Sequence, residues 1–375
     1  MNKYKIHFVI LLGILFLVGC VKPFSPPEIN SQQSYLVIDG FLNTGSDTSV
    51  FLLSRTQNIK QDHDPVMESG ATLSVEKELG EVHLFTELSP GKYILPPSEF
   101  DLLHKYRLKL KTANGSEYAS EFVNISKTPP IDSISYKIEP VRNSVVFYAN
   151  AHDAGNKTHF YRWKLEETWE YQATYASVLE VVDGKIVLRK QDINTCWRTS
   201  KPATIILGST IKQSSDIIKE LPINVVPIST NKLYRQYSLL LRQYALSQEA
   251  FEYWTALSKT TQLTGSLFDP QPYLLTGNIK CLTSADELVF GYFAAGTEEK
   301  RRILISPGLG SFPRCAEPDT LSVQCYTLDS DCAYRTQQLL LNYHGKLNDS
   351  VTVANPECAD CRLQGGTTSK PAFMK

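Results

Sequence analysis

The chain of 375 residues is 42% hydrophobic, 21% charged and 10% aromatic, a globular composition that excludes wholesale disorder. Its 38 basic and 39 acidic side chains give a net charge of −1, so nucleic acid, which is held by a basic excess, is not an expected partner. The length allows two to three domains, and without a run of twenty apolar residues no ordinary membrane-spanning helix is expected.

The chain begins with an address. Lys3 and Lys5 precede a run of eleven apolar residues from Phe8 to Val18, too short to span a bilayer but right for a secretory signal. The run ends in Leu17-Val18-Gly19-Cys20, which resembles the bacterial lipobox, where the cysteine is lipidated and becomes the new N-terminus. Residues 1–19 are therefore read as a lipoprotein signal peptide. Acyl chains on Cys20 would hold the protein to a membrane. Residues 20–33, rich in Pro, Ser and Asn, form a tether.

From residue 34 to 127 the pattern is a series of short strands, predicted at 35–42, 49–55, 71–77, 82–88, 92–95, 106–111 and 118–125. Tyr106, Leu108 and Leu110 alternate with Arg107, Lys109 and Lys111, the period of a strand with one buried face. Turn signals at Asn43-Thr44-Gly45, Ser89-Pro90-Gly91 and Asn114-Gly115 separate the strands. Seven strands in about a hundred residues predict an immunoglobulin-like β-sandwich.

Thr128-Pro129-Pro130 breaks the pattern and marks a boundary. A second β-rich domain follows over 131–310, with strands at 131–138, 144–149, 159–166, 203–207, 233–244, 273–280, 288–294 and 302–305. One helix is predicted near 247–259: Ser247 is a good N-cap, the acids fall early, and Ala250, Phe251, Trp254 and Leu257 share a face. Gly265 to Pro272 is an irregular loop. The fold class is thus mainly β: two immunoglobulin-like or β-sandwich domains with one inserted helix and a disulfide-rich C-terminal tail.

That tail, residues 311–375, holds five of the seven cysteines left after Cys20. The set is Cys196, Cys281, Cys315, Cys325, Cys332, Cys358 and Cys361. In an exported chain disulfides are the default, and an odd number leaves one thiol free or paired with another chain. Cys358-Ala-Asp-Cys361 is a CxxC that a structural bridge, half a metal site or a redox dithiol could explain. No second close pair supports zinc, and no βαβ pattern supports a thioredoxin-like motif, so the structural reading leads.

The motifs of common enzymes are missing: no HExxH, no GxSxG, no phosphate loop and no dinucleotide fingerprint. The mature histidines are scattered. His152 and His159 flank a turn and could meet across a hairpin to bind metal, although loop histidines are ordinarily solvated. Glu166 and Glu167 stand beside Trp169, but neighbours on a strand face opposite ways and cannot act on one substrate. Asp62-His63-Asp64 and Asp329-Ser330-Asp331 read as solvated turns. No enzymatic activity, metal or cofactor is expected. A possible ligand platform for a glycan or peptide is the aromatic set Trp163, Trp169, Tyr171 and Tyr175.

Several phrases together carry a resemblance. After the lipobox come Tyr35-Leu36-Val37-Ile38-Asp39-Gly40, Leu53-Ser54-Arg55-Thr56 and Gly70-Ala71. Then come Tyr161-Arg162-Trp163 with Glu167-Thr168-Trp169, and Ala250 through Trp254. Phe268-Asp269-Pro270-Gln271-Pro272, Gly277-Asn278-Ile279 and Gly291-Tyr292-Phe293 follow. The end holds Cys358-Ala359-Asp360-Cys361-Arg362, Gly365-Gly366-Thr367 and Lys370-Pro371-Ala372-Phe373. In this order they resemble the Bacteroidota outer-membrane lipoprotein family called domain of unknown function 4249, over nearly the whole mature chain. The resemblance implies no catalytic residues. It implies an accessory lipoprotein at the outer membrane that partners a TonB-dependent receptor in nutrient capture or uptake. The other readings are an independent glycan- or peptide-binding or adhesion lipoprotein, and an envelope thiol-redox protein using the CxxC. Val21-Lys22-Pro23-Phe24 lacks the early acids that tend to accompany export to the cell surface, so the leaflet is left open.

Overall fold

Alternation decides which side chains enter the core. In β1 (Leu36–Asn43) and β2 (Ser49–Arg55) the inward residues are Leu36, Ile38, Phe51 and Leu53, all buried. The computed structural model describes residues 34–57, 64–78, 80–262, 275–310, 315–327, 339–344 and 349–375. Cys20 with its signal and tether, the 265–272 loop, His63, Cys332 and the Asp329-Ser330-Asp331 cluster lie outside the described residues.

The remaining N-terminal strands are β3 (Val66–Met67), β4 (Thr72–Lys77), β5 (Val82–Leu84), β6 (Thr86–Ser89), β7 (Lys92–Leu95), β8 (Tyr106–Lys111), β9 (Glu117–Ser120) and β10 (Ile125–Ser126). Two sheets result, one built on β1, β2, β7 and β6, the other on β9, β8, β4 and β5. Their inner faces share one core, in which Phe51, Leu53 and Tyr93 meet Leu73, Val75, Tyr106, Leu108 and Tyr118.

The second body has β11 (Ile131–Glu139), β12 (Ser144–His152), β13 (Phe160–Gln172), the hairpin β14 (Leu179–Val182) and β15 (Lys185–Leu188), β16 (Thr195–Ser200), β17 (Ile206–Ser209), β18 (Ile217–Pro227) and β19 (Tyr237–Ala245). The helix α1 (Gln248–Gln262) follows, then β20 (Ile279–Cys281), β21 (Val289–Phe290), β22 (Ala295–Gly296) and β23 (Glu298–Ile305). A three-stranded sheet, β11-β12-β18, faces the sheet β16-β13-β19-β23, to which β17 is also paired. Between them lie Val145, Phe147, Tyr161, Trp163, Tyr237, Leu239 and Leu241. Each such side chain contributes about 1.5–3 kcal/mol on leaving water.

The N-terminal sandwich is not made from 34–127 alone: its core also takes in Ile279, Val289, Phe293 and Ala295. β20 pairs with β9, β21 and β22 run parallel to β1, and β22 also pairs with β10. Asn278 fixes this return: its Nδ2 donates to Phe293 O (2.9 Å) while its Oδ1 accepts from Phe293 N (2.8 Å). At Gly291, φ is +131° and a side chain would strike the Ile38 carbonyl, so glycine is required there. Both cores accordingly belong to one compact unit, Tyr35–Lys375.

The tail is partly regular. β24 (Asp319–Ser322), α2 (Gln324–Thr327), β25 (Leu339–His344), β26 (Ser350–Ala354) and α3 (Pro356–Ala359) complete the chain. β24-β26-β25 is a small sheet whose apolar side packs on Leu179 and Ile186 of the β14–β15 hairpin. Among the described residues no helix is long and apolar enough to cross a membrane.

Candidate functional site

The cysteines come first because the structure pairs them. Cys196 on β16 is bonded to Cys361, and Cys315 to Cys358. Cys325 is also disulfide-bonded. Cys281 is free and buried, donating from Sγ towards Glu287 Oε2 (3.5 Å). The CxxC is therefore neither a local bridge nor a dithiol. Its two sulfurs go to different partners, and the intervening Asp360 accepts from Arg362 N (2.9 Å) and pairs with the Arg362 guanidinium (2.7 Å). Both cysteines of the motif thus serve structural bridges, to Cys315 and Cys196.

The proposed aromatic platform is likewise corrected. Trp163 is fully buried, with Nε1 donating to Gln243 Oε1 (2.9 Å). Tyr171 is buried and donates to Cys361 O (2.6 Å), and Trp169 keeps only 5% of its surface. Tyr175 is partly exposed and donates to Ala316 O. The three buried rings have no open face on which a sugar could stack. His152 pairs with Asp132 (2.8 Å) and His159 stands beside Thr210. The described residues hold no group of three metal-ligating side chains.

What the strands do bring together is the outward face of the sheet β16-β13-β19-β23. Directly paired residues share a face. The register aligns Arg162 with Tyr244 and Glu298, Lys164 with Arg242 and Lys300, and Glu166 with Leu240 and Arg302. Glu167 faces the other way, buried, and accepts from Tyr237 Oη (2.7 Å) and Lys232 Nζ (2.9 Å), as the alternation requires.

Most charges on the outward face are matched. Arg242 and Lys300 reach Glu298 at 2.9 and 3.3 Å, and Lys300 also reaches Asp47 at 2.7 Å. Lys201 and Arg302 flank Glu166 at 3.5 and 3.6 Å. Lys164 stands 3.6 Å from Asp39, which β1 presents from the N-terminal sandwich. Burial of Tyr244, reinforced by the Glu298 carboxylate, raises its pKa.

Arg162 is the exception. Its guanidinium lies 3.3 Å from the centre of the Trp254 ring, a close cation–π contact. Among the described residues it makes no hydrogen bond or ion pair, and only its Nε is fully covered. Loss of solvation pulls its pKa down to about 10, against the opposing pull of Asp39. Desolvation lowers that of Lys164 as well. α1 supplies Trp254: Ser247 caps it, accepting from Ala250 N (3.2 Å), and Phe251 packs on Phe160 at 4.8 Å. Trp254 is held edge-on by Tyr253, which in turn meets Tyr292. No reading of the sequence singled out this cluster, although the alternation Arg162, Lys164, Glu166 was there to find it.

Two cavities lie elsewhere. One of ≈ 560 Å³ is lined by the 126–130 crossover, His152, Asp153 and Lys157. The other, ≈ 730 Å³ and open, is lined by Glu170, Trp197, Arg235, Gln236 and Lys370.

None of the curated proteins compared with the chain matches it. The family model described as "Domain of unknown function (DUF4249)" matches residues 21–302. The match ends inside β23, so the Cys358, Gly365 and Lys370 phrases fall beyond it, while the Asp39, Arg162 and Trp254 phrases fall within. On that extent of agreement, the chain belongs to the DUF4249 family.

Proposed function

We propose that this protein is a non-enzymatic outer-membrane lipoprotein, anchored through Cys20, that serves as the accessory partner of a TonB-dependent receptor in nutrient capture or uptake. The observation that carries the reading is a lipobox-type leader in front of a β-rich member of this family. A surface for a protein partner supports it. The β14–β15 hairpin exposes Val181, Val182, Val187 and Leu188, the last at 73%, and contiguous exposed apolar side chains favour protein contact.

The test is purification of the native protein from mildly solubilised outer membranes, with its companions identified by mass spectrometry. A stoichiometric TonB-dependent receptor, lost when Leu188 is changed to Asp, is the expected result. A lone protein, under conditions that preserve known receptor complexes, refutes it. Ligand binding is a second reading, favoured by the unpaired Arg162 rather than by the buried aromatic set.

A further inference from the structure

We propose that Arg162, stacked on Trp254 at the edge of the N-terminal sandwich, is the anchoring group of a binding site for a carboxylate ligand. The inference concerns ligand chemistry and stands or falls independently of the receptor partnership.

A guanidinium offers five donors in a planar fork that fits a carboxylate with two parallel hydrogen bonds. Arginines taken partly out of water ordinarily hold such a partner, because the desolvation is otherwise uncompensated. Every other cation on this sheet face has one: Arg242 and Lys300 on Glu298, Arg302 and Lys201 on Glu166, Lys164 on Asp39. Among the described residues Arg162 has a ring beneath it and no hydrogen-bond or ion-pair partner. The stacking fixes the plane of the fork, so little side-chain freedom remains to be lost on binding.

The charge balance indicates the class of ligand. Around this end of the sheet Arg162, Lys164, Arg242 and Lys300 face Asp39, Asp47 and Glu298. One positive charge is in surplus, which a single carboxylate neutralises and a phosphate monoester, at about −1.5 to −2, exceeds. The Trp254 ring beneath the fork makes the surroundings partly apolar, so a carboxylate on an apolar body suits the site better than a bare ion.

The experiment titrates the full-length protein, labelled with ¹⁵N-arginine, with the monocarboxylate cyclohexanecarboxylate, its uncharged amide, inorganic phosphate and chloride at matched ionic strength. The Nε–H signal of Arg162, identified by its absence from the Arg162→Lys variant, is followed together with tryptophan fluorescence. Saturable shifts with cyclohexanecarboxylate alone are expected. Affinity should fall at least tenfold in Arg162→Gln and severalfold in Arg162→Lys, which keeps the charge and loses the fork. Equal responses to the amide or to chloride overturn the proposal, as does unchanged affinity in Arg162→Gln. Tighter saturation by phosphate than by cyclohexanecarboxylate overturns the carboxylate assignment. The fluorescence titration of the wild type decides even where a variant fails to fold.

Discussion

Replacing Cys196 and Cys361 together by alanine should destabilise the protein by about 5 kcal/mol. The two are separated by 165 residues, and the cross-link removes chain entropy from the unfolded state as the logarithm of that separation, about 17 cal/mol/K or about 5 kcal/mol at 25 °C. The bridge between Cys315 and Cys358 closes 43 residues, for which the same relation gives about 4 kcal/mol. Alanine is the appropriate replacement because Cys196 and Cys361 are both fully buried, where a serine hydroxyl would need a partner. Guanidinium denaturation of the wild type and each double variant measures the differences, provided the slopes stay equal. Non-reducing peptide mapping gives the pairing directly. A loss below about 1 kcal/mol, or a Cys358–Cys361 cross-link, would falsify the assignment of the CxxC to two separate structural bridges.

Gln243→Ala leaves both Trp163 Nε1 and Pro129 O without a partner, since Gln243 bonds them at 2.9 and 2.7 Å; two orphaned buried groups should cost about 3 kcal/mol, read from the denaturation midpoint. Gly366→Ala places a methyl group against Tyr171 Oη and Cys196 Cβ, so the tail should loosen, with faster amide exchange at Thr367 and Trp197, which exchange two backbone hydrogen bonds; unchanged exchange would contradict the packing. His152 has its pKa raised by the hydrogen bond and charge of Asp132. The folded state therefore holds that proton more tightly than the unfolded one, so the pair stabilises in acid and the contribution disappears as pH rises through the folded value. An NMR titration should show His152 above the ordinary histidine range and returned to it in Asp132→Asn.

How legible the fold was depends on how local its signals are. Strand β8 stands where the alternation placed it, because one face is apolar and the other carries Arg107, Lys109 and Lys111, and β2 occupies the predicted 49–55. The β14–β15 hairpin went unread although Asp183-Gly184, both at positive φ, is the residue pair a tight hairpin turn asks for. Apolar residues on both faces had hidden its period. The return of 279–296 to the N-terminal sandwich had no local signature at all: it depends on parallel pairing with β1 across some 250 residues of chain. The ligand platform failed for an avoidable reason. The alternation that separates Glu166 from Glu167 also puts Trp163, Trp169 and Tyr171 on the same inward face as Tyr161 and Leu165. Applied throughout β13, it buries Trp163, Trp169 and Tyr171 and turns Arg162, Lys164 and Glu166 outward.

The buried polar groups sort the molecule into what is fastened and what is left open. Gln243 ties the crossover to the second core, Asn278 ties the returning segment to the first, and Asp360 with the two disulfides ties down the tail. On the charged sheet face the end near β16 is fastened too. Thr367 pairs with Trp197, Phe373 lies 3.6 Å from the Arg302 guanidinium, and Met374 is buried. At the opposite end Arg162 has the Trp254 ring as its stacking partner and, among the described residues, no acceptor. A purely structural arginine would be expected to spend its donors on backbone carbonyls or a carboxylate, as Arg301 does on Ile131 O and Arg242 on Glu298. Arg162, half-buried, bears the cost of partial desolvation with only the Trp254 ring against it among the described residues, a cost that the proposed carboxylate would offset.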